Sequence, residues 1–576
     1  MKPLAALLLS RSLVWKILVA VPMIATIVLL VRGRAPLQGL SAELVIVKAN
    51  VITVDEKQPQ AEAVAVRDGK IVAVGTTAQV KTLVGSGTQI IDAQGRTITP
   101  GFIDAHIHPR PLYPFESPHH IVDLAPERVR SIEELIGALK KKAAMTPKGH
   151  WVRGSNYQDS KLGRHPTRID LDQVSAVHPI VIVHSSGHVS AVNTLVLQQG
   201  KVEGDTPDPP GSKFDRDKNG NATGLLFEEP AQLRSRRGSP PFPVPTEEDQ
   251  VKGLQVTMRN FLAKGITSVH DASAFGVAIA LYQEALAKWQ PVRVTMMVRG
   301  GDRWGPSEIL RDFRKVSLRG NFGNDRLRIG PVKITHGNSF SGRTCWLYEP
   351  YEGRPDYFGI APGRSQEQLD ELIFEIHQAG FRPAVHSNGD REIDQVLNAF
   401  EKALKKLPKR DARFRIEHAS VTNPQILERM KDLGVIPVFH SYIYEHGDKL
   451  EEYGEKRFDR LIAVRSALDL GLHVADSSDY GVSSADPMLR IQSLVTRKSA
   501  QGKMYGARQR ITVEEAIRIW TLGNAFAGFE ETLKGSIEVG KLADLVMLEQ
   551  DPTRVSPDAL KDVKVLMTII GGKVEH

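Results

Sequence analysis

Eight short apolar runs recur along the chain after residue 100, and segments with helix-like apolar spacing separate most of them. This alternation is typical of βα units, which build a parallel sheet covered by helices. Eight units predict an α/β fold whose sheet closes into a (β/α)8, or TIM-like, barrel. The predicted strands are 102–108, 265–271, 293–298, 328–335, 382–387, 413–419, 435–440 and 473–479, and the predicted helices are 278–289, 366–379, 391–404, 424–433 and 461–470.

The two ends of the chain show a different pattern, made of short strands and tight turns. Residues 43–98 contain Asp68-Gly69 between two apolar runs, which is a strong hairpin signal, and residues 535–576 contain Gly571-Gly572 in a similar setting. Neither segment is long enough to bury a good core alone. We therefore predict that they pair into one composite β-sandwich domain, with a barrel domain at 99–534 inserted between them.

The gap between the first and second predicted strands is too long for a simple loop. It contains a helical pattern near 131–144, several apolar runs and a turn-rich stretch, and it closes with a proline-rich segment. We predict that residues 109–245 form an inserted subdomain beside the mouth of the barrel. Insertions at this end commonly shape access of the substrate.

The N-terminal residues 3–31 are strongly apolar and are followed by Arg32 and Arg34. The uninterrupted part, 17–31, is short for a membrane span, but residues 13–15 extend it past Lys16, whose side chain could snorkel. Residues 1–35 are therefore predicted to be a signal anchor or a cleaved signal peptide. Either alternative predicts a membrane-anchored or exported protein whose bulk faces the periplasmic or extracytoplasmic side.

The composition limits which metal ligands and which classes of partner are compatible with the chain. The single cysteine, Cys345, excludes an intrachain disulfide and a cysteine-rich metal cluster, so any metal is held by nitrogen and oxygen. The net charge of +8 comes from 75 basic and 67 acidic residues spread along the chain, without the aromatic and basic interleaving of nucleic-acid binders. We expect a small-molecule substrate and no nucleic acid, and a homo-oligomer stays open.

Polar residues fall at the ends of the predicted strands. His106 and His108 are two residues apart in the first strand, so both imidazoles project to the same side and form half of a zinc site. Alone, each such residue reads as a hydrogen-bonded structural group. In a barrel, however, the carboxyl ends of all strands meet at one mouth. The further candidates at those ends are Lys333, His386, His418 and Asp479.

The motifs carry a family resemblance. The runs GFIDAHIH, SSGHVSAVN, GITSVHDAS, RIEHAS, SSDYGVSSADP and GSIEVGKLADLVML, among others after residue 43, resemble the amidohydrolase superfamily and, within it, the amidohydrolase-3 or YtcJ-like group. The resemblance implies a metal-dependent hydrolase barrel with a composite β-sandwich. This agrees with the architecture predicted from the residue pattern.

The resemblance also implies roles for the candidate residues. His106, His108 and Asp479 would bind one divalent ion, with zinc expected, and His386 and His418 would bind a second ion or serve the first. Lys333 matches the position that carries a carbamate bridge in binuclear relatives. Asp479 would act as general base toward the activated water and then as proton donor to the leaving group. For His188, a substrate-binding and a structural role both stay open.

Two positions depart from the family pattern. Lys333 is usually followed by an Asp-Gly pair, where this chain has His336-Gly337, and a common Gln-Pro pair after the seventh strand is replaced by His440-Ser441. Both lie where substrate would be sensed, so we predict that His336 and His440 contribute to substrate binding.

The leading function is hydrolysis of a carbon–nitrogen bond other than a peptide bond, in an amide, formamide or cyclic amide. An esterase or carbamate hydrolase would use the same site. An exported binding or regulatory protein that kept the fold and lost turnover is the alternative from another class.

Overall fold

The computed structural model describes residues 41–274, 276–299, 308–315 and 317–576. The predicted signal segment at 1–35 lies outside these residues. Within the described ranges, no helix combines the length and the apolar character needed to span a membrane.

The centre of the molecule is a parallel eight-stranded barrel, as predicted. Its strands are β1 (Phe102–Ile107), β2 (Ile266–Ala274), β3 (Arg293–Arg299), β4 (Leu327–Thr335), β5 (Pro383–Ser387), β6 (Arg415–His418), β7 (Ile436–His440) and β8 (Ala475–Ser477). Each strand pairs with its neighbours in chain order. Backbone hydrogen bonds from Asp479 to His106 (3.0 Å) and from His108 to Tyr480 (3.2 Å) join the carboxyl ends of β8 and β1. The predicted strands at 413–419 and 473–479 prove shorter, because Arg413, Ala419 and Asp479 have left-handed backbone conformations that interrupt strand pairing.

Helices follow the barrel strands on the outside. They are Glu247–Leu262, Gly276–Trp289, Glu308–Lys315, Gln366–Gln378, Asp390–Lys406, Pro424–Leu433, Ile443–Glu451, Val464–Asp469, Pro487–Thr496, Val513–Arg518 and Asn524–Gly528, with a π-helical turn at Ile519–Gly523. Local signals set their ends: Asn423 caps the helix that begins at Pro424, and Ser365 forms a capping box with Gln368. The helix predicted from 461 begins only at Val464, because Ile462 is left-handed.

Both ends of the chain contribute to a pair of sheets beside the barrel. One sheet contains Lys70–Gly75, Ala63–Arg67, Leu44–Val47 and Gln89–Asp92, and the other contains Lys573–Val574, Val565–Ile570, Leu545–Leu548, Thr97–Pro100, Asn50–Ile52 and Gln60–Ala61. Ile46 and Val64 of the first sheet share a buried core with Leu545 and Ile569 of the second. Asp68-Gly69 and Gly571-Gly572 form the predicted turns, each with two left-handed residues. We propose that the two sheets act as one composite domain.

The segment between β1 and β2 folds around a sheet of its own. Its strands, in spatial order, are Lys213–Arg216, Ala222–Phe227, Val189–Val192, Ile180–His184, Val152–Tyr157 and Val122–Asp123, and its helices are Ile132–Ala144, Asp159–Leu162, Arg168–Asp172, Thr194–Gly200 and Glu229–Ser235. The buried carboxylate of Asp159 forms an ion pair with Arg343, which follows β4, at 2.8 Å. It forms a second ion pair with Lys449, which follows β7, at 2.6 Å. These ion pairs hold the insertion against the carboxyl end of the barrel.

Candidate metal centre

The barrel brings most of the predicted site residues to one place. His106 is the next-to-last residue of β1, Lys333 lies on β4, His386 on β5, His418 ends β6 and His440 ends β7. Asp479 follows β8, and its Oδ1 lies 3.1 Å from His108 Nε2 and 3.7 Å from His106 Nε2. Among the described residues, two triads have ligand atoms within 4.8 Å of one another: His106–His108–Asp479 and His418–His440–Asp479.

The tautomer of His106 is fixed by Glu417. His106 Nδ1 lies 2.6 Å from Glu417 Oε2, deep in the barrel where both side chains are buried. Burial opposes the charge of Glu417, but the guanidinium of Arg415 holds the pKa of that carboxyl well below its usual range. An ionised carboxylate only accepts hydrogen bonds, so His106 carries its proton on Nδ1. Its Nε2 lone pair therefore points toward Asp479, as in the carboxylate–histidine pairs that orient metal ligands.

A similar argument fixes His440. The hydroxyl of Ser483 donates to the Ser478 carbonyl at 2.5 Å, and Ser483 Oγ lies 2.9 Å from His440 Nε2. Because the serine proton is already committed, Ser483 accepts from His440, which must be protonated on Nε2. The remaining lone pair, on Nδ1, lies 3.8 Å from Asp479 Oδ2. This position sits opposite the His106 side of the same carboxylate.

Asp479 and His418 are held in unusual backbone conformations. Their φ angles are +50° and +76°, in the left-handed region that residues other than glycine rarely adopt. A strained backbone conformation of this kind persists only where the surrounding structure supports it, and such conformations are common at functional sites. Asp479 N donates to His106 O, which provides part of that support. Both side chains are buried at the mouth of the barrel.

Lys333 is buried within the same group. Its Nζ lies 3.2 Å from His106 Nε2, the atom whose lone pair points toward Asp479. Burial lowers the pKa of Lys333 to about 8, although the carboxylates of Glu417 and Asp479 oppose the shift. The ammonium of Lys333 therefore loses its proton more readily than that of an ordinary lysine. It also contacts the Nε2 atom of His106, so a metal cation would compete with it for that lone pair.

His386 and His188 form the opposite wall. Their rings stack with centroids 4.9 Å apart, and His188 Nδ1 lies 2.6 Å from buried Glu228 Oε2. His386 Nε2 lies 3.1 Å from the Asn338 carbonyl and 3.2 Å from Asn388 Nδ2. The insertion thus contributes His188 directly to the site, while His386 belongs to neither triad.

His336 is not brought to this cavity. Its side chain is buried with Nε2 3.0 Å from Gln395 Oε1, on the helix Asp390–Lys406. His336 does not line the cavity beside Asp479, and its contact with substrate stays a prediction.

Sequence reasoning missed the residues that orient the site. Glu417 and Arg415 alternate with apolar residues inside a buried strand, and a charged pair two residues apart in such a strand was the available signal. Ser483 and Glu228 carried no such signal, because they reach His440 and His188 only through the tertiary fold.

The donor set fits a divalent cation. Asp479 Oδ1 is buried, and no donor among the described residues meets it in hydrogen-bond alignment. It lies beside the lone pair of His106 and the Nε2 atom of His108, so nitrogen and oxygen ligand atoms converge on one point. Zinc and similar ions prefer such ligands. The adjoining cavity, which we call the metal-centre cavity, is lined by Asp479, His418 and His440 among others. It has about 30 Å³ of free volume, enough for an ion or a water molecule but not for a whole substrate.

Comparisons with known proteins agree with this geometry. The chain is 29% identical to the N-substituted formamide deformylase of Arthrobacter pascens, over 93% of this chain and 98% of that protein. It is also 29% identical to the putative amidohydrolase YtcJ of Bacillus subtilis, over 91% and 98% of the two chains. The solved structure of an uncharacterized metal-dependent hydrolase from Pyrococcus horikoshii superposes with a TM-score of 0.68 and 26% identity, covering 89% of this chain and 99% of the other. The amidohydrolase family model matches residues 89–576, so the chain belongs to the amidohydrolase family and is a hydrolase.

Proposed function

We propose that the protein is a metal-dependent hydrolase of a non-peptide carbon–nitrogen bond in an amide, formamide or cyclic amide. The observation that carries the proposal is the convergence of His106, His108 and Asp479, whose ligand atoms face one another at the barrel mouth. The similarity to a formamide deformylase over nearly the whole chain favours the amide side of the chemistry.

The residues divide into two sets around Asp479. His106, His108 and Asp479 Oδ1 would hold one ion, and His418, His440 and Asp479 Oδ2 would complete it or hold a second. This differs from the expected pairing of His418 with His386, whose Nε2 is engaged by Asn338 and Asn388. A divalent ion, with zinc proposed, would supply Lewis-acid polarisation of a carbonyl and would lower the pKa of a water molecule from 15.7 toward roughly 7.

Asp479 is the proposed proton carrier. Burial would raise the pKa of this carboxyl, but the imidazole of His108, whose Nε2 lies 3.1 Å from Oδ1, holds it well below its usual range. It is therefore ionised and able to take a proton from water. It can then return that proton to the nitrogen of the leaving amine, which must be protonated to depart.

Lys333 is proposed to react with carbon dioxide when the ion binds. As an ammonium it donates to His106 Nε2 at 3.2 Å, so it would compete with a cation for that lone pair. The lowered pKa makes the neutral, nucleophilic amine accessible. The neutral amine nitrogen would bond to the carbon of carbon dioxide and lose one proton to water, and the resulting carbamate would replace the competing cation by an anionic oxygen ligand.

The test is a substrate screen with the metal-loaded enzyme. Formamides, N-acyl compounds and cyclic amides should be hydrolysed, and chelation should abolish the activity. Faster turnover of the matched esters would favour the esterase alternative. Stoichiometric metal with no turnover of any amide, ester or carbamate would contradict the proposal and favour a binding or regulatory protein.

We also propose that residues 1–35 direct the chain to the membrane or across it, on the basis of the apolar run at 3–31. A signal anchor should leave the protein in the membrane pellet after a high-salt wash. A cleaved signal should release a shortened soluble form. A full-length soluble chain would contradict both.

A further inference from the structure

A second cavity, of about 200 Å³, lies in the insertion next to the metal centre. One face of the insertion's sheet forms an apolar wall, and the rim reaches Gly481, two residues beyond Asp479. Three guanidinium groups line it, those of Arg110, Arg153 and Arg236. We call it the arginine cavity.

The three arginines have no neutralising partner in the part of the chain that the structure describes. No carboxylate oxygen in those ranges lies within 4.0 Å of their nitrogens, and each uses a backbone carbonyl instead. These hydrogen bonds run from Arg110 to the Gly481 carbonyl (3.1 Å), from Arg153 to the His119 carbonyl (2.9 Å) and from Arg236 to the Gln232 carbonyl (3.2 Å). A guanidinium has five N–H groups, so each keeps several donors for a ligand. Three adjacent cations without an anion make a site for one.

The positions of these side chains are fixed in advance. The guanidiniums of Arg153 and Arg236 each lie 5.1 Å from the centre of the Phe242 ring. Gly481 has φ +113°, which favours glycine, and a Cβ there would lie 2.6 Å from Arg110 Nη2 and would displace the guanidinium. Burial lowers the pKa of Arg153 and of Arg236, and the carboxylate of Glu229, which lies beyond 4.0 Å, offsets only part of the shift at Arg236. Pre-organised donors of this kind bind with little loss of side-chain entropy.

The arginine cavity and the metal-centre cavity border the same two segments. Residues 184–188 contribute His184 and Gly187 to the first and Ser186 and His188 to the second. Residues 479–482 contribute Gly481 to the first and Asp479 and Val482 to the second. Because the metal-centre cavity holds only a small group, the rest of a substrate has to extend beyond it. The larger arginine cavity lies next to it and has room for that part of the substrate.

We propose that the arginine cavity binds a carboxylate of the substrate while the scissile carbon–nitrogen bond lies at the metal centre. The substrate class is then an amide or formamide that carries a carboxylate, with a hydrocarbon spacer against the apolar wall. This inference rests on the proposed function. Bidentate arginine–carboxylate pairing supplies both the orientation and the selectivity.

The test compares N-formyl-ω-aminocarboxylates of increasing chain length with N-formylalkylamines of equal length, using metal-loaded enzyme. The acidic series should have a kcat/KM higher by roughly tenfold or more at the best length, mainly through KM. Arg153→Met and Arg236→Met should each remove about that factor for the acidic series and leave the neutral series unchanged. Arg168→Met is the matched control, because Arg168 lies in the insertion, bonds the Ala222 carbonyl and does not line the cavity.

The outcomes separate this inference from the proposed function. Equal kcat/KM for acidic and neutral members at every length would overturn the inference and keep the hydrolase. If neither series is turned over, the proposed function fails, and calorimetry with hexanoate decides about the cavity. Hexanoate binding that Arg153→Met/Arg236→Met removes, with hexanamide not bound, supports the anion site. Hexanoate binding that is absent or unchanged in the double variant overturns it.

Discussion

The metal-centre cavity and the arginine cavity lie side by side, yet they offer a ligand opposite partners. The first presents lone pairs, from His106, His440 and the carboxylate of Asp479. The second presents N–H donors and positive charge, from Arg153 and Arg236 among others. A cation suits the first and an anion the second, although the same two segments border both.

The difference arises from the groups behind each cavity. Glu417 and Ser483 accept hydrogen bonds from the imidazole N–H groups of His106 and His440. The N–H groups therefore point away from the metal centre, and the nitrogen lone pairs face it. Behind the arginine cavity, backbone carbonyls take only part of the donors of each guanidinium. The charge that each cavity binds therefore depends on how the groups behind it fix the positions of the N–H hydrogens, and not on the residue types alone.

The largest effect is expected for Asp479→Asn. The amide cannot accept a proton, so turnover should fall by at least about 10³-fold, while much of the metal remains. Initial rates and metal content of the purified variant measure the two separately. Asp558→Asn, at an exposed ion pair with Lys498, is the matched control and should behave as wild type. Undiminished turnover in Asp479→Asn would remove it as proton carrier.

Asp159→Asn should weaken the hold of the insertion on the barrel. It leaves buried Lys449 without its carboxylate, whereas Arg343 keeps its ion pair with Glu452, and the loss should lower the free energy of unfolding by about 3 kcal/mol. Burial opposes the charge of Asp159, but the hydrogen bond from His184 and the charge of Lys449 hold its pKa well below the ordinary 3.8. The unfolded chain then binds this proton first, so the stabilisation is present above about pH 4 and is lost as pH falls below it.

Chemical denaturation of wild type and Asp159→Asn across this acid range measures the effect. The difference in unfolding free energy should be constant near neutral pH and should shrink in acid. A difference that does not depend on pH would contradict the ion-pair account.

Glu417→Gln should test the orientation of His106. A glutamine can present either a donor or an acceptor to Nδ1, so the inward lone pair is no longer enforced, and metal affinity should fall by about 10- to 100-fold. Competition with a chromophoric chelator measures this. Because the single change leaves buried Arg415 unpaired, Arg415→Met/Glu417→Gln serves as the second variant. If both variants fold and bind metal with the affinity of wild type, Glu417 does not orient His106.

A smaller effect is expected at His440. His440→Gln should lower the affinity of the ion nearest His418 by roughly tenfold, and Ser483→Ala should do so less, because it only frees the tautomer. The visible spectrum of the cobalt-loaded protein reports the change in ligands. Ser484→Ala is the control. Identical spectra and affinities in His440→Gln would restrict His440 to the substrate side.

The barrel was predictable because each strand has its own apolar run and turn signals, which are local. His106, His108 and Asp479 could be placed together because every strand of a barrel ends at one mouth. The same rule could not show that His336, just past its strand, lies against the helix that contains Gln395, because a residue beyond a strand end can turn to either side. It also could not show which side of Asp479 His440 faces.

The arginine cavity lay beyond the reach of the sequence. Arg110, Arg153 and Arg236 lie in three separate segments of the insertion, and nothing in the local sequence distinguishes them from surface arginines. Their meaning depends on a shared space and on the absence of a carboxylate there among the described residues, both of which are tertiary properties. The small helix-free turns at 184–188 and 479–482 likewise acquire their role only when the insertion docks on the barrel.

Metal binding by the purified protein tests the central claim most directly. After chelation and dialysis, titration with Zn²⁺ should show one or two ions per chain. His106→Ala/His108→Ala should lose at least one of them while its circular dichroism stays that of wild type. No stoichiometric binding by wild type, or undiminished binding by the double variant, would contradict the metal centre described above.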